Sequence, residues 1–346
     1  MVRSYAMSLT PLQALDRVVH CLDRVHETGF KAKAFIRARE VLRELPEGEL
    51  EERSGAGTLT DLDGVGPATA RLVQETLRGE TAYLDKIEAE TVIPITPEGT
   101  AYRAALKGDC HLHSTWSDGG ATIEAMAATA IALGHDYMVL TDHSARLTIA
   151  HGLDRERLIQ QLGIIAVMNE DFAARDGAPF RILTGMEVDI NLDGTLDLDD
   201  DLLAHLDVVV ASVHSKLRME SFEMTPRMLA AVASPHVDIL GHCTGRLIGK
   251  RDPSVFDADR VFAACAESGT AVEINSRPER LDPPFELLER AIAAGCWFSI
   301  DSDAHATGQL EWQPHGCDRA AKVGVPIERI VNTMAADDLI AWTRAA

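Results

Sequence analysis

The amino-acid sequence predicts an α/β fold, a seven-stranded parallel barrel preceded by a small all-α domain. Three observations support this prediction. From residue 107 onward, short apolar runs alternate with stretches of helical periodicity, which is typical of a parallel sheet with crossover helices. Each apolar run ends in a polar side chain that can bind a metal or a ligand. The amino-terminal third, in contrast, carries helix signals.

The apolar runs predict strands that are buried on both faces, because they contain many β-branched residues and little polar alternation. The first run ends in His111 and His113, which lie two residues apart and would point to the same face of a strand. Six further runs cover residues 137–141, 181–186, 208–213, 237–241, 271–274 and 297–300. The helical stretches between them cover residues 122–133, 154–174, 257–267 and 285–294.

The polar residues that follow these strands predict one metal site. The carboxyl ends of parallel strands meet at one end of a barrel, where active sites are built. A single histidine at a strand end is most often a satisfied polar residue, but six of them with three carboxylates are not explained by coincidence. The candidate ligands are His111, His113, Asp118, His143, Glu187, His214, His242, Asp303 and His305.

Several of these segments resemble motifs of the PHP (polymerase and histidinol phosphatase) superfamily, and in particular the PHP domain of bacterial family X DNA polymerases (PolX). The resemblance covers about residues 107–346. The motifs that carry it are His111-Leu112-His113-Ser114, Thr141-Asp142-His143, Gly185-Met186-Glu187-Val188-Asp189, Ser212-Val213-His214-Ser215, Gly241-His242-Cys243-Thr244-Gly245-Arg246, Glu273-Ile274-Asn275-Ser276-Arg277 and Asp301-Ser302-Asp303-Ala304-His305.

This resemblance implies a distorted, TIM-like (βα)7 barrel with three divalent ions, a mixture of Mn²⁺, Zn²⁺ or Fe²⁺. It implies a first ion on His111, His113, Glu187 and Asp303, a second on Glu187, His214 and His242, and a third on Asp118, His143 and His305. Glu187 would bridge two ions, and Glu187 and Asp303 would be catalytic. The chemistry expected is hydrolysis of a phosphoester by metal-activated water.

A phosphate clamp is expected beside this site. Arg246 follows the strand that carries His242, and a guanidinium binds phosphate in a bidentate manner. Lys250 and Arg251 are weaker candidates for the same role, since a solvated loop explains them equally well.

The amino-terminal third predicts helices and a DNA-binding turn. Thr10, Pro11 and Gln13 match a helix start, and residues 30–45 predict a second, basic helix. Residues 59–79 resemble a helix-hairpin-helix, whose free amides can meet a DNA phosphate. An ordinary helical turn is the alternative. The candidate DNA contacts are Gly64, Val65, Gly66, Lys31, Lys33 and Arg37.

This segment also resembles the small amino-terminal domain of family X polymerases, over about residues 8–90. The helix after the hairpin, residues 67–73, has no lysine, so a Schiff-base lyase is not expected. Residues 91–106 form a Pro-punctuated linker that leaves no room for a polymerase palm. The predicted organisation is therefore a helical domain (1–90), a linker (91–106) and a PHP domain (107–346), without nucleotide transfer.

Composition limits the partners. The net charge is −21, and it is uneven: residues 1–107 hold 14 basic and 17 acidic residues, against 19 and 37 in the remainder. The small domain is therefore the expected DNA contact. The six cysteines are scattered without a CxxC pair, and Cys110, Cys243 and Cys296, in or beside strands, are expected to be reduced core residues. The absence of a signal or membrane segment predicts a cytoplasmic protein without membrane contact.

The leading hypothesis is a 3′–5′ exonuclease or 3′-end-processing DNA repair enzyme that acts on single-stranded or gapped DNA. The first alternative is a small-molecule phosphomonoesterase of the histidinol phosphatase type, acting on small phosphate esters. The second alternative is a non-catalytic DNA-end-binding protein. A segment that imitates a calcium loop, residues 189–200, is better explained as a turn, because Asp200 stands where a bidentate Glu is expected.

Overall fold

The structure is a computed structural model that describes residues 9–27, 29–175 and 180–345. The described chain divides into two compact units between Ile93 and Pro94. In its described residues the first unit is built from helices without strands. These helices are α1 (Pro11–Arg24), α2 (Phe30–Arg43), α3 (Glu49–Ala56), α4 (Pro67–Leu77) and α5 (Ala82–Glu90), with a 3-10 turn at Leu59–Asp61.

Helix α1 begins with the cap that the sequence predicts. The Thr10 hydroxyl accepts a hydrogen bond from the amide of Gln13 at 3.3 Å, and the Gln13 side chain accepts one from the amide of Thr10 at 2.8 Å. This reciprocal pair satisfies two amides at the helix start, and Pro11 has no amide hydrogen to satisfy. The apolar side of α1 packs against α2, α4 and α5 in a core that includes Leu15, Val18, Leu22, Phe35, Leu72, Val73, Leu84 and Ile87.

The predicted hairpin, residues 59–79, is a tight turn followed by α4. Gly64 has a φ of +96°, which favours glycine, and a Cβ atom there would lie 2.7 Å from Cγ of Arg37. Gly66 caps α4 and Pro67 is its first residue. The turn has the glycine-dependent geometry that the sequence indicates, and its contact with DNA stays a prediction.

The second unit is a seven-stranded parallel barrel with helices between the strands, so the predicted fold class is confirmed. The strands follow one another in sequence order around the sheet. They are β1 (Gly108–Leu112), β2 (Tyr137–Leu140), β3 (Arg181–Asp189), β4 (Val208–Ser212), β5 (Ile239–Leu240), β6 (Ala271–Asn275) and β7 (Trp297–Asp301). The helices are α6 (Pro97–Ala105), α7 (Ile123–Ala132), α8 (Arg155–Ala173), α9 (Asp200–Leu203), α10 (Ser221–Val232), α11 (Ala258–Ser268), α12 (Phe285–Ala294), α13 (Gln313–Val323) and α14 (Ala336–Thr343).

Burial explains the composition of the strands. Every residue of β1, β2, β4, β5 and β6 is buried, as expected for strands with the barrel interior on one side and helices on the other. Strand β5 is shorter than the predicted run 237–241, because only Ile239 and Leu240 pair with both neighbours. The ladders keep a parallel register that brings all the strand ends to one rim, for example Asn275 beside Asp301.

Strands β1 and β7 close the barrel along a seam. Near the carboxyl end of the seam, the amide of Asp303 donates to the carbonyl of His111 at 3.0 Å, and the amide of His113 donates to Ala304 at 2.8 Å. The rest of the seam is closed by side chains rather than by a continuous backbone ladder. The side-chain amides of Gln313 and Asn332 donate to the backbone carbonyls of Gly108 and Ile300. The backbone amide of Cys110 donates to the Asp301 carboxylate, and that of Ser302 donates to the Asp109 carboxylate.

The predicted linker contains a helix that the sequence did not predict. Thr96 caps α6, and its hydroxyl donates to the Asp318 carboxylate at 2.7 Å. The Tyr102 hydroxyl donates to the carbonyl of Val325 at 2.8 Å. Helix α6 therefore belongs to the packing of the second unit.

Across the described ranges, no helix has the length and apolar character needed to cross a membrane. The cytoplasmic location stays a prediction. The six cysteines are buried and unbridged, as the sequence predicts for Cys110, Cys243 and Cys296.

Candidate metal centre

The barrel brings the predicted ligands together at the carboxyl ends of its strands. His111 lies in β1, with His113 directly after it, and Glu187 lies in β3. The other predicted ligands follow β1, β2, β4, β5 and β7 in the connecting loops. They fall into four overlapping groups whose ligand atoms lie within 4.8 Å of one another: His113, Asp118, His143 and His305; His111, His113 and Asp303; His111, Glu187 and His242; His143, Glu187 and His214.

Glu187 is the centre of this arrangement. Its side chain is 1% exposed, and each of its two oxygens faces a different set of imidazoles. Oε1 lies 3.2 Å from Nε2 of His214 and 2.9 Å from Nε2 of His242. Oε2 lies 3.2 Å from Nε2 of His111 and 2.9 Å from Nδ1 of His143. A carboxylate placed between two sets of nitrogen ligands can bridge two cations.

The ligand atoms of this cluster are buried without hydrogen bonds. Both oxygens of Glu187 lack a hydrogen-bond partner, as do Nε2 of His111, both ring nitrogens of His113 and Nε2 of His214. Burying so many polar atoms without partners is unfavourable, and in native proteins most buried polar atoms bind a protein group, a water molecule or an ion. Imidazoles mixed with carboxylates suit divalent transition ions. The residues present therefore fit divalent cations.

The charges of the cluster depend on one another. Burial lowers the pKa of His111 and His214, but Glu187 outweighs burial and raises the first well above its usual range and the second to about 9, so a bound cation would displace protons from these imidazoles. Burial raises the pKa of the Glu187 carboxyl, but the imidazoles of His111, His214 and His143 outweigh burial and hold that pKa well below its usual range. Burial holds the pKa of His113 well below its usual range, and His305 and His143 lower it further. His113 is therefore a neutral imidazole with a free lone pair, and Glu187 is an ionised carboxylate.

The grouping differs in several respects from the predicted division among three ions. His113 also joins the group of Asp118, His143 and His305, and His111 joins the group of Glu187 and His242. His143 was assigned to the third ion with Asp118 and His305, and it does share a group with both. Its Nδ1 atom, however, lies 2.9 Å from Glu187, so His143 also borders the Glu187–His214 group. The structure brings all the predicted ligands into one cluster, and their division among individual ions stays a prediction.

The family of the chain follows from a comparison with protein-family models. Residues 109–277 match the model described as the PHP domain. This chain contains a PHP domain. The matched range includes seven of the predicted ligands, from His111 to His242, and ends before Asp303.

Curated relatives carry names that concern phosphate chemistry. The chain is 41% identical over 239 residues to a Bacillus subtilis protein named DNA polymerase/3′-5′ exonuclease PolX, which covers 69% of this chain and 41% of that protein. It therefore spans about two fifths of the length of that relative. It is 28% identical over 237 residues to a probable phosphatase of Thermoanaerobacter sp., covering 65% of this chain and 89% of that protein.

Among solved structures, the chain is similar to the histidinol phosphate phosphatase of Lactococcus lactis, whose structure was determined with zinc, L-histidinol and phosphate. The TM-score is 0.45 at 17% sequence identity, over 62% of this chain and 94% of that one.

Two carboxylates of the PHP domain orient its imidazoles. Oε1 of Glu273 lies 2.7 Å from Nδ1 of His111, and its other oxygen accepts the amide of His242. Oδ1 of Asp189 lies 2.9 Å from Nδ1 of His214. Each contact leaves the Nε2 atom of its imidazole directed at Glu187. Neither role was predicted from the sequence, although an acidic residue inside a fully buried strand, such as Glu273 in β6, is a signal for one.

Arg246 is held by the loop after β6. Its Nε atom donates to the carbonyl of Arg280 at 2.7 Å, and its Nη2 atom donates to the carbonyl of Leu281. These bonds leave Arg246 with little freedom to follow a phosphate, and they favour a role in shaping the loop. The clamp role stays a prediction. Arg251 donates to the carbonyl of Gly245, and Lys250 pairs with Glu279 at 3.0 Å.

Two arginines that were not predicted as site residues lie closer to the cluster. Nε of Arg280 is 3.0 Å from Oδ2 of Asp303, and its side chain is 14% exposed. Nη1 of Arg277 lies 3.7 Å from Oδ1 of Asp303 and 3.3 Å from Nδ1 of His305. Arg280 therefore reaches the ligands from the loop after β6. The sequence signal for this was the pair of arginines, Arg277 and Arg280, that directly follows that strand.

Arg227 ties together the loops that carry Asp189 and His214. Its side chain is 1% exposed and lies on α10. Its guanidinium donates to the carbonyls of Asn191 at 2.9 Å and Ser215 at 2.8 Å, and also to the carbonyl of Ile190. Carbonyls from both loops thus satisfy a buried cation, which fixes the two loops relative to each other.

The predicted DNA contacts lie in the first unit, apart from these ligands in sequence. Lys31 and Lys33 are exposed on α2, and Arg37 pairs with Asp63 of the hairpin at 3.1 Å. The Val65 side chain is 4% exposed, and its amide donates to Leu62 at 3.0 Å. Val65 is therefore largely buried in the turn, and its contact with DNA stays a prediction.

The segment that imitates a calcium loop is a turn after β3. Asp193 accepts hydrogen bonds from the amide and the hydroxyl of Thr195, at 3.1 and 2.7 Å. Gly194 has a φ of +86°. The turn explains the sequence pattern without an ion, as expected from the sequence.

Proposed function

We propose that this protein is a metal-dependent phosphoesterase, and more specifically a 3′–5′ exonuclease or 3′-end-processing enzyme that acts on DNA. The observation that carries the proposal is Glu187, whose two oxygens face separate sets of buried imidazoles without hydrogen-bond partners. Divalent ions bound in such a site lower the pKa of water and neutralise charge on phosphate during hydrolysis. The names of the curated relatives support phosphate ester substrates.

The side chains of the cluster have distinct tasks in this proposal. The predicted ligands hold three ions, for which Mn²⁺, Zn²⁺ and Fe²⁺ are the candidates, and Glu187 joins two of the ligand sets. Glu273 and Asp189 hold the imidazoles of His111 and His214 in the required orientation. Arg280 lies against Asp303 and is the best-placed group to bind a phosphate oxygen. Arg246 keeps the backbone of Arg280 in position.

DNA as the substrate is supported by the first unit and by one relative. The relative is named DNA polymerase/3′-5′ exonuclease PolX. The glycine-rich turn at Gly64 and Gly66 leads into α4, whose first amides are available for a phosphate. Lys31 and Lys33 add exposed positive charge on α2. Polymerase activity is not part of the proposal, because residues 91–106, which include α6, are too few to form a palm domain.

The test is hydrolysis of a 5′-labelled oligonucleotide, single-stranded and gapped, by Mn²⁺-loaded protein. We expect a ladder of products that shorten from the 3′ end, and loss of that ladder in Asp303→Ala. The matched control is Asp238→Asn, which changes a buried carboxylate at the amino end of β5, away from the ligands. Intact DNA with the metal-loaded protein would contradict the exonuclease proposal.

A second candidate function is a small-molecule phosphomonoesterase. It is favoured by the probable phosphatase of Thermoanaerobacter sp., 89% of which is covered by the match. A chromogenic phosphomonoester in the same assay separates the two candidates. Rapid cleavage of the monoester with intact DNA would support the phosphatase and leave the helical unit with an accessory role.

A further inference from the structure

The second unit is acidic, yet its basic residues are concentrated beside the proposed centre. The loops after β4, β5 and β6, residues 213–220, 241–257 and 276–284, carry seven of the 19 basic residues that follow residue 107, against five acidic residues. These strands are neighbours in the barrel, so their loops form one continuous part of its rim. Positive charge is therefore placed on one side of the mouth, against the overall charge of the unit.

Three of these basic side chains extend into solvent: Lys216, Arg218 and Lys250, called here the basic rim. Among the described residues, Lys216 and Arg218 have no ion pair, although acidic residues outnumber basic ones in this unit. Lys250 pairs with Glu279, and its side chain is 69% exposed. Exposed cations without carboxylate partners are free to bind an anion from outside.

The rim begins close to the proposed metal ligands. Lys216 is two residues after His214, so its Cα atom lies within about 7 Å of that of the ligand, and that of Arg218 within about 14 Å. The loops are held together across the rim. The Ser254 hydroxyl donates to the carbonyl of Leu217 at 2.7 Å, and the amide of Ile248 donates to Glu279 at 2.7 Å. The rim is therefore a fixed surface rather than a set of separate loops.

Exposed apolar side chains lie among the basic ones. Phe222 is 78% exposed at the start of α10, Val255 is 55% exposed and Ile248 is 52% exposed. Positive charge interleaved with an aromatic ring is the surface that single-stranded nucleic acids bind, since the backbone meets the cations and unpaired bases stack on the ring.

The neighbouring side of the mouth has the opposite charge. The loop after β3 and the short helix α9 expose Asp193, Asp199, Asp200 and Asp201, and no basic residue lies in 190–201. Arg155 of α8 pairs with Asp199 and Asp201, which leaves Asp193 and Asp200 without an ion pair among the described residues. A polyanion would be repelled there and attracted to the loops after β4 to β6. The charge distribution therefore favours one direction in which a bound polyanion can extend away from the metal centre.

We propose that the basic rim of the barrel, together with Phe222, binds the backbone and bases of a single-stranded nucleic acid whose end enters the metal centre. This inference rests on the proposed phosphodiesterase function and names the segment of substrate that this site recognises. The acidic PHP domain would then have its own nucleic-acid binding surface, separate from the hairpin in the first unit.

The experiment uses the full chain and a labelled oligodeoxythymidylate, with binding measured by anisotropy over a range of salt. We expect the double substitution Lys216→Glu and Arg218→Glu to weaken binding at least tenfold and to reduce the salt slope by about 0.7 for each phosphate that is no longer neutralised. Phe222→Ala should weaken binding about fivefold or more without changing the slope. The matched control is Arg260→Glu with Arg344→Glu, which makes the same charge change at exposed positions on α11 and after α14.

Hydrolysis of bis(p-nitrophenyl) phosphate by each protein separates the two proposals. In the rim variant, KM for the oligonucleotide should rise while kcat is retained. Equal binding by the rim variant and the wild type would overturn the rim, and so would equal losses in the rim and control variants. Equally tight binding of polyglutamate would also overturn it, since the surface would then lack preference for nucleic acid. Rim-dependent binding without hydrolysis of any phosphodiester would retain the rim and reject the exonuclease.

Discussion

The two ends of the barrel use the same kinds of residue for different purposes. At the carboxyl end, His113, Glu187 and His214 carry buried atoms that have no hydrogen-bond partner. At the amino end, the partly buried Asp207 carboxylate is satisfied, since it accepts the amide and hydroxyl of Thr184, each at 2.9 Å. Asp207 thus completes the fold at the amino end, while the cluster at the carboxyl end has atoms that are left available for a ligand.

Backbone conformation shows the same difference. At the amino end, the loops that enter β2, β6 and β7 adopt positive φ at Gly134, Gly269 and Gly295, where it carries no steric cost. At the carboxyl end, positive φ occurs at glycines such as Gly194 and Gly245, but also at Lys216 (+54°) and Asp303 (+53°), which are not glycines. A non-glycine residue in this region costs on the order of 1 kcal/mol or more, and such strain persists where function requires the side chain in one place.

The largest expected effect comes from changing a carboxylate to an amide at the carboxyl end. Glu187→Gln removes the negative charge that faces two sets of imidazoles. We expect phosphoesterase activity to fall by more than the roughly 100-fold that loss of an outer partner can cost. The measurement is the steady-state rate together with the bound metal content. Full activity with full metal content would show that the two ends of the barrel do not differ in this way.

A smaller loss is expected when an orienting carboxylate is changed. Glu273→Gln leaves one acceptor for two donors, Nδ1 of His111 and the amide of His242, and adds an amide donor beside them. Metal affinity should fall about 10- to 100-fold. Competition with a chelator measures this affinity without relying on turnover. An unchanged affinity would mean that His111 is held by packing alone.

Arg227 tests whether the loops around His214 need their common anchor. Arg227→Met removes donors to the carbonyls of Asn191 and Ser215 and should weaken metal binding by several-fold, less than Glu273→Gln. Arg227→Lys keeps one charged donor and should recover part of the loss. Titration with Co²⁺, read by its ligand-field spectrum, reports the geometry at the imidazoles. A variant that only lowers the unfolding temperature would limit Arg227 to stability.

The amino end should respond to pH rather than to metal. Burial raises the pKa of Asp238 from 3.8 to about 8, and its main compensation is the amide of Val209 at 2.8 Å. The folded state therefore holds a proton that the unfolded state releases between these values. This contribution to stability is complete below pH 3.8 and is lost as pH rises towards 8, at about 1.4 kcal/mol per pH unit.

Asp238→Asn keeps the acceptor for Val209 but cannot titrate. Urea unfolding of metal-free wild type and variant across this window should show the variant gaining relative stability as pH rises. Phosphoesterase activity should be retained, because Asp238 is at the opposite end of the barrel from the ligands. A pH-independent difference between the two proteins would contradict the assignment.

Much of the fold could be predicted from sequence because each strand is a local pattern. Runs such as 208–213 are apolar except for Ser212 and lead into a ligand, so strand identity and rim position follow together. The length of β5 could not be predicted in this way, because it depends on how many residues pair with β4 and β6. Helix α6 was missed because its Pro-rich start resembles a linker and its stability comes from packing on α13.

The candidate site was predicted less evenly. The imidazoles and Glu187 mark themselves by their positions at strand ends. Their supporting contacts do not, since Glu273 meets His111 across 162 residues of chain. Arg246 was selected because it follows a ligand strand, but the carbonyls of the loop after β6 occupy its guanidinium, and Arg280 reaches Asp303 instead. Contacts between loops are tertiary facts that no local pattern contains.

The barrel is closed at the seam between β1 and β7, where the backbone ladder is incomplete. Two backbone hydrogen bonds hold its rim, between His111 and Asp303 and between His113 and Ala304, and the ligands of the proposed first ion lie on both sides of them. A cation bound by both His113 and Asp303 would join the two sides of this seam. The free energy of cation binding would then oppose local opening of the seam. Amide hydrogen exchange at His113 and Asp303 should therefore slow on metal loading far more than exchange at the ladder between β3 and β4. The exchange rate at the seam would then report how fully the metal centre is occupied.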